Sequence, residues 1–220
     1  MKNNTKAKIL QAAIKIFALK GYKAATVREI GLEAGAANIS AVTYHFKGKE
    51  NLYKTVLEFM FEDANKFIPD QKADKKEPSP EEKLRFFILM YMKIIYIIDT
   101  KLDADLASIF SKEITHPSPF LTEMVQKHII PSCDALQKIL REIIGEKAPY
   151  EVIRQCEDSI MGQIYYQQFA WPLIIRAYPD QPLPHTQIDK NANHIFLFTL
   201  GGLETIKKQY YMHSRPKEAK

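Results

Sequence analysis

Residues 26–53 read TVREIGLEAGAANISAVTYHFKGKENLY, and this stretch decides the fold. Thr26 is followed three residues later by Glu29, which is the pattern of a capping box at the start of a helix. That helix is predicted to end near Gly35, and a second short helix is predicted over 38–46. Two short helices joined by a turn that contains glycine are typical of a helix-turn-helix, whose second helix enters the major groove of DNA.

The rest of the chain is predicted to be helical as well. Apolar residues recur at spacings of three and four nearly throughout, and strand patterns are almost absent. Gly21 is predicted to end the first helix with a left-handed cap, and Ser79 is predicted to cap a helix that has Pro80 at its first position. Predicted helices cover about 5–20, 26–35, 38–46, 49–67, 80–98, 103–115, 119–144 with a kink at Pro131, 149–178 with Pro172 inside it, and 189–211.

Charge is distributed unevenly along the chain. The net charge is +5, and residues 1–60 hold ten Lys or Arg against four Glu, whereas residues 61–220 hold 21 basic against 22 acidic side chains. A basic segment on a near-neutral body is typical of a protein that binds a polyanion such as nucleic acid. The alternative on charge alone is an ordinary solvated helix face.

Composition excludes several classes of protein. With 220 residues, 46% hydrophobic and 26% charged, the chain is neither disordered nor fibrous, and two cysteines cannot frame a disulfide-stapled fold. The longest apolar run, from Phe86 to Met92, is far shorter than the ~20 residues of a membrane-spanning helix. The six histidines are scattered, and enzymatic motifs are absent. We therefore predict a cytoplasmic protein that is not an enzyme and has no metal, cofactor or membrane partner.

The region 5–55 resembles the TetR family of bacterial transcriptional regulators in detail. The residues that carry this resemblance are Gly21-Tyr22, Thr26-Val27-Arg28-Glu29-Ile30, Ala34-Gly35 and Tyr44-His45-Phe46-Lys47-Gly48-Lys49-Glu50-Asn51-Leu52-Tyr53. The helical remainder agrees in length with the effector-binding and dimerisation domain of that family. The resemblance therefore implies an all-α fold with a helix-turn-helix domain at 1–50 and an effector-binding and dimerisation domain at 51–220. The helix at about 51–67 would connect the two.

A branch of the family is also indicated. Asn38 to Tyr44, His116-Pro117-Ser118-Pro119 and Ile130-Pro131 look like the pattern of CecR-type regulators, which are implicated in export and drug sensitivity. One departure concerns the turn at Ala36-Ala37, which holds one residue more than the family pattern. The orientation on DNA of the second helix of the helix-turn-helix is therefore not fixed by the resemblance.

The resemblance implies a set of DNA-contacting residues. Helix N-termini and small hydroxyl side chains bind phosphate well, and Thr26 and Lys49 lie at such termini. Phe46 is predicted to pack in the core instead. The residues expected to contact phosphates are Thr26, Arg28, Tyr44, His45, Lys47 and Lys49. Those expected to face base edges are Asn38, Ile39, Ser40, Ala41 and Thr43.

The body is predicted to form a homodimer. A single helix-turn-helix contacts too little DNA for useful affinity, so such proteins read an inverted repeat as two-fold dimers. In the family the last two helices usually pair with those of the partner. The interface candidates are Ile195, Phe198, Gly201, Gly202 and Ile206. The alternative for Gly201-Gly202 is a plain weakening of the last helix.

The body also carries candidates for an effector pocket. Pockets are mainly apolar with a few polar anchors, and the resemblance implies one among the central helices. The candidates are Phe87, Tyr91, Phe110, Phe120, Gln163, Tyr165, Tyr166 and Gln167, and each has core packing or surface exposure as its alternative. The leading hypothesis is a ligand-released repressor of export or detoxification genes. The alternatives are an effector-independent DNA-binding protein and a helical small-molecule carrier or enzyme.

Overall fold

The computed structural model describes residues 2–35, 40–64, 77–96 and 100–213, with side chains described from residue 5 to residue 209 within those ranges. All the regular structure in these ranges is helical, as predicted. The helices are α1 (Lys2–Ala24), α2 (Val27–Glu33), α3 (Ser40–Phe46), α4 (Lys49–Ala64), α5 (Pro80–Tyr96), α6 (Lys101–Thr115), α7 (Leu121–Met124), α8 (Ile130–Ile144), α9 (Tyr150–Ala177) and α10 (Ile188–His213). A π-helical segment, Val125–Ile129, precedes α8, and a 3₁₀ turn, Pro184–Gln187, precedes α10.

The chain forms two compact units whose boundaries differ from the predicted division at residue 50. The first unit is Met1–Lys66 with Ile98–Ile129, and the second is Phe67–Ile97 with Ile130–Lys220. Helices α4, α6 and α7 thus belong with the helix-turn-helix, because their apolar faces are buried in the same core. Local sequence patterns do not report such long-range packing.

The core of the first unit joins the helix-turn-helix to α6. Phe17 of α1, Val42 of α3 and Val56 of α4 are fully buried, and Leu106 and Ile109 of α6 are buried in the same cluster. Burying aliphatic and aromatic side chains of this size stabilises a fold by about 1.5–3 kcal/mol each. Helices α1, α3 and α4 therefore bury their apolar faces in the same core as α6.

Helix α5 lies at the centre of the second unit. Its residues Leu84, Ile88 and Met92 are buried, and the helix packs against α8, α9 and α10. Helix α5 therefore contacts neighbouring helices on several sides. Leu140 of α8 and Ile160 of α9 are buried in the same core.

Helix ends follow the predicted capping chemistry at two positions. At Thr26, the amide of Glu29 donates to the threonine hydroxyl at 3.2 Å, and the Glu29 carboxylate accepts from the Thr26 amide at 3.1 Å. Ser79 and Glu82 form the same reciprocal pair. Gly21 has φ +72° and ψ 173°, a conformation essentially restricted to glycine, and it interrupts α1 where the sequence predicted a stop.

The helix predicted over 119–144 is an unbroken helical run from Leu121 to Ile144, and its regular geometry is disturbed just before Pro131, where the sequence predicted a kink. The structure divides this region into α7, the π-helical segment and α8, with Pro131 as the second residue of α8. Proline has no amide hydrogen for the carbonyl of the preceding turn, and a wider π turn accommodates such a missing bond. Pro172 lies inside α9, which continues to Ala177.

Candidate DNA-binding site

Helix α3 presents two different faces. Val42 and Phe46 are buried in the core of the first unit, which confirms the packing prediction for Phe46. On the opposite face Ser40 and Thr43 are exposed, and Tyr44 is 73% exposed. A large aromatic residue left in solvent beside small hydroxyl side chains is suited to contact phosphates and base edges.

The remaining predicted residues of this helix divide by burial. Ala41 and His45 are half-buried, and the His45 ring lies edge-on to the Tyr44 ring with 5.0 Å between the centroids. Asn38 and Ile39 lie outside the described residues. The turn at Ala36-Ala37, with its extra residue, lies outside them as well.

Thr26 is exposed at the N-terminus of α2 and its hydroxyl takes part in the capping box. The Glu29 carboxylate accepts from Lys20 Nζ at 2.5 Å and from the Thr26 hydroxyl at 2.9 Å. The bond from Lys20, followed by those from Thr26, lowers the pKa of Glu29 below its ordinary value. The charge of Lys20 is therefore engaged within the protein, and the Glu29 carboxylate caps the exposed N-terminal end of α2.

The exposed basic groups of the helix-turn-helix include Arg28 and Lys47. Neither forms an ion pair within the part of the chain that the structure describes, while Lys15 pairs with Glu33 at 2.5 Å. Lys47 has φ +58°, a left-handed conformation that turns the chain sharply between α3 and α4. These two cations are therefore available to phosphates.

Lys6 was missed by the sequence reasoning. Its ammonium group lies 5.7 Å from the centroid of the Phe46 ring, so it is placed near the end of α3. The signal was present in the sequence, because Lys6 continues the spacing of the buried residues Ala13 and Phe17 on one face of α1. A cation on that stripe must lie at the edge of the core.

Lys49 has partners inside the protein. Its Nζ donates to the carbonyl of Lys23 at 3.1 Å and lies 4.7 Å from the centroid of the Tyr22 ring. Burial lowers the pKa of Lys49. The residue thus satisfies a carbonyl at the end of α1, and its ammonium group has two further hydrogens to donate.

The effector-pocket candidates are divided between the two units. Phe110 and Phe120 belong to the first unit, where the Phe120 ring is edge-on to Tyr22 at 5.2 Å. The other six belong to the second unit. There Phe87 is buried and stacks on Tyr91 at 4.5 Å.

The polar candidates differ in burial. Burial raises the pKa of Tyr91 and of Tyr165 above their ordinary values. Tyr166 is exposed. Gln163 donates to Thr199 at 3.5 Å, and Gln167 accepts from Asn191 at 3.3 Å.

A buried polar cluster in the second unit was not predicted. Glu157 of α9 is buried and accepts from Gln137 at 2.7 Å and from Arg154 at 2.6 Å. Burial, with a hydrogen bond to Glu157, raises the pKa of the Cys133 thiol to about 11. Tyr91 is hydrogen-bonded to Ser132, the residue before Cys133. Glu157 carries no visible signal in the sequence, because a glutamate at a buried helix position looks like any surface glutamate.

The dimer candidates on α10 also differ in burial. Ile195 is buried in the core of its own unit, and Ile206 packs partly against that core. Phe198 is 68% exposed, and Gly201 and Gly202 are exposed with open space around them. The exposed residues thus form the face of α10 that is directed away from its core.

Two family models cover most of the described chain. Residues 9–56 match the model of bacterial regulatory proteins of the tetR family, and residues 80–203 match the C-terminal domain of the HTH-type transcriptional dual regulator CecR. The chain belongs to the TetR family of DNA-binding transcriptional regulators. The TetR-type helix-turn-helix is therefore the site built by α2 and α3.

Individual relatives agree with the TetR assignment. A probable HTH-type transcriptional regulator from Bacillus subtilis, YttP, is 28% identical over 150 residues, which are 67% of this chain and 67% of that protein. A crystal structure of a mutant of HlyIIR is 26% identical, with a TM-score of 0.57, over 87% of this chain and 98% of that chain. The fold is also that of the transcriptional regulator FadR from Bacillus subtilis, solved with stearoyl-CoA, at 21% identity and a TM-score of 0.62 over 89% of this chain and 98% of that chain. In this TetR-family chain, no helix within the described ranges is long and apolar enough to cross a membrane.

Proposed function

We propose that this TetR-family protein is a homodimeric repressor that an effector releases from an inverted-repeat operator upstream of export or detoxification genes. The observation that carries the proposal is that helix α3 has one buried face and one exposed face. Val42 and Phe46 pack in the core of the first unit, whereas the Tyr44 side chain is largely in solvent. An aromatic side chain exposed to this degree, on a helix that follows a capped α2, favours a contact surface for DNA.

Specific DNA binding combines two kinds of contact at this surface. Arg28 and Lys47 supply charge for phosphates, and the N-terminal end of α2 adds backbone amides. Ser40 and Thr43 lie on the exposed side of α3 and are suited to base edges and thymine methyl groups. Phosphate contacts fix the position of the protein, and base contacts select the sequence.

The dimer interface is proposed on α9 and α10. Exposed apolar side chains repeat along α9 at Tyr166, Phe169 and Leu173, and along α10 at Leu197 and Phe198. Contiguous exposed apolar residues of this size are typical of a protein–protein interface. The exposed Gly201 would allow two α10 helices to approach closely.

The effector is proposed to bind the second unit near the polar cluster around Glu157. Buried hydrogen-bonding groups in an otherwise apolar bundle are typical anchors of a small-molecule site. FadR, which shares the fold, was solved with stearoyl-CoA, and this supports a ligand-responsive second unit here as well. Release from the operator follows if the effector prefers the conformation that does not bind DNA, because a ligand with equal affinity for both conformations shifts nothing.

Selection from a random pool of DNA duplexes tests the proposal. We would incubate the full-length protein with the pool at about 0.15 M salt, recover bound duplexes and sequence them. The expected product is an inverted repeat whose half-site centres lie about 10 base pairs, or a multiple, apart. The control is the same selection without protein, and a pool that matches this control would overturn the DNA-binding site.

A second measurement tests whether an effector releases the protein from its operator. Small molecules extracted from the purified protein, or a panel of lipophilic compounds, are added to the complex with the selected duplex. We expect at least one compound to lower DNA affinity by about tenfold or more. Unchanged affinity across the panel and the extract would favour an effector-independent DNA-binding protein.

A further inference from the structure

The first unit contains a buried carboxylate that is fully engaged in hydrogen bonds. Glu113 of α6 is only 3% exposed. Its Oε1 accepts from the Tyr53 hydroxyl at 2.6 Å, and its Oε2 accepts from the Ser118 amide at 3.2 Å and the Ser118 hydroxyl at 3.0 Å. One side chain thus ties together α4, α6 and the turn after α6.

The surroundings of this carboxylate are aromatic. The Tyr53 ring lies 4.6 Å from Phe17, 4.9 Å from Tyr22 and 6.2 Å from Phe120, centroid to centroid. Burial, together with Glu113, raises the pKa of Tyr53 far above its usual range. Tyr53 therefore remains protonated and donates to Glu113 at any physiological pH.

A buried carboxylate in such a core is not explained by stability alone. Apolar side chains of similar volume often stabilise a core as well as buried charged groups do, because burial of a charge carries a desolvation cost. Hydrogen bonds to a carboxylate, by contrast, fix distance and direction. The geometry therefore points to a role in setting the position of the helices that Glu113 joins.

These helices include the ones that carry the DNA-contacting residues. Tyr53 lies one turn after Lys49 on α4, and Tyr22, which contacts Tyr53, also lies under the Lys49 ammonium group. A second contact joins α6 to α1, because the Ser108 hydroxyl donates to the Ala18 carbonyl at 3.0 Å, close to the break at Gly21. Helix α6 is thus bonded to the helices on both sides of the helix-turn-helix.

We propose that Glu113, through Tyr53 and Ser118, is a positioning residue for DNA binding. In this proposal α6 is part of the structure that orients the helix-turn-helix on DNA. The inference rests on the proposed DNA-binding function. It assigns to a residue that touches no DNA the task of holding the N-terminal end of α4, and with it α3, in the orientation that binds the operator. Loss of these hydrogen bonds therefore lowers affinity for the operator although every side chain that contacts DNA is still present.

The test compares two buried tyrosines that each donate a hydrogen bond but lie in different units. Tyr53→Phe removes the donor to Glu113. Tyr96→Phe is the matched control, because Tyr96 is also buried and its hydroxyl donates to the Ile164 carbonyl at 2.6 Å in the second unit. Both full-length variants and the wild type are titrated with the selected duplex over a range of salt concentrations, at a temperature where urea denaturation shows that all three are folded. Emission of Trp171, the chain's single tryptophan, monitors the second unit.

We expect Tyr53→Phe to weaken operator binding by about fivefold or more, with an unchanged salt dependence because no phosphate contact is lost. Tyr96→Phe is expected to stay within about twofold of the wild type. Equal affinity of Tyr53→Phe and wild type, or equal weakening by both variants, would overturn the inference. Ser118→Ala, which removes one hydroxyl donor, must change affinity in the same direction, and it decides the matter if Tyr53→Phe does not fold. Failure of the wild type to bind any duplex would instead count against the proposed function.

Discussion

At the scale of single residues, Tyr44 offers the sharpest test of the DNA-binding surface. It has no core neighbours to lose, because most of its side chain is in solvent. Tyr44→Ala should therefore weaken operator binding by about tenfold or more, while the free energy of unfolding changes by less than about 0.5 kcal/mol. Titration with the selected duplex and urea denaturation measure the two quantities.

The matched control for Tyr44 is Tyr178, which is 67% exposed but lies in the second unit. Tyr178→Ala removes the same side chain from a comparable environment. It should leave both operator affinity and stability unchanged. Wild-type affinity for Tyr44→Ala would show that α3 does not contact DNA through this residue.

Glu58 gives a prediction about pH. Burial alone would raise the pKa of Glu58, but hydrogen bonds with Lys127 at 2.7 Å and His128 at 2.9 Å lower it below its ordinary value. A carboxyl group with a lowered pKa stabilises the fold above the unfolded value, and this contribution is lost as pH falls through the folded pKa. Glu58→Gln should therefore cost up to about 1 kcal/mol at about pH 5.5 and less at about pH 3.5.

Urea denaturation of wild type and Glu58→Gln at both pH values measures this difference. Glu62→Gln serves as control, since Glu62 is an exposed residue one turn later on α4. A stability difference between wild type and Glu58→Gln that persists undiminished at the lower pH would contradict the assigned ion pair. The contact matters because it joins α4 to the π-helical segment within the first unit.

At the scale of helices, two caps of the same chemistry lie in different units. Thr26 caps α2 and Ser79 caps α5, each with a glutamate three residues later. Thr26→Ala and Ser79→Ala should each cost about 1 kcal/mol of stability. Only Thr26→Ala should also weaken operator binding, because its hydroxyl lies at the helix end proposed to face phosphate.

The two caps are compared by urea denaturation and by titration with the selected duplex. Each variant is the control for the other, since both lose a hydroxyl that accepts from an amide in the first turn of a helix. Equal operator affinity of the two variants would remove Thr26 from the DNA contacts and leave it with its capping role alone.

Elements whose ends are set by local chemistry were predictable from the sequence. The boxes at Thr26 and Ser79 follow the pattern of a hydroxyl residue three positions before glutamate, and both were confirmed. The equivalent capping box at Thr100 was missed, and α6 was predicted to begin at Asp103. The reason is that aspartate takes the place of glutamate in this box. The π-helical segment before Pro131 was also missed, since proline predicts a disturbed helix without specifying its form.

At the scale of the whole molecule, the division into units depends on contacts between distant parts of the chain. The hydrogen bond from Tyr53 to Glu113 spans 60 positions, and no periodicity in the sequence reports it. Lys49 was predicted to contact phosphate because it lies at a helix N-terminus. Its hydrogen bond to the Lys23 carbonyl is likewise not visible in the sequence. Sequence patterns identified the helix-turn-helix and its family, whereas packing decided that α6 belongs with it.

The proposed dimer provides the test at this scale. Phe198 is a large apolar residue exposed on α10, so burying it between two copies of the chain would favour association. Phe198→Asp places a charge on that face, and an unpaired buried charge is strongly unfavourable. We expect the variant to sediment as a monomer of 25.4 kDa at about 10 μM, where the wild type sediments as a dimer.

Leu183→Asp is the matched control, because Leu183 is exposed and lies outside α9 and α10. It should remain dimeric. Operator affinity should fall with Phe198→Asp and not with Leu183→Asp, since half-sites of an inverted repeat are read together only by a paired molecule. A Phe198→Asp variant that stays dimeric and binds the operator normally would place the interface away from this face of α10. The exposed apolar residues of α9 and α10 would then need another partner.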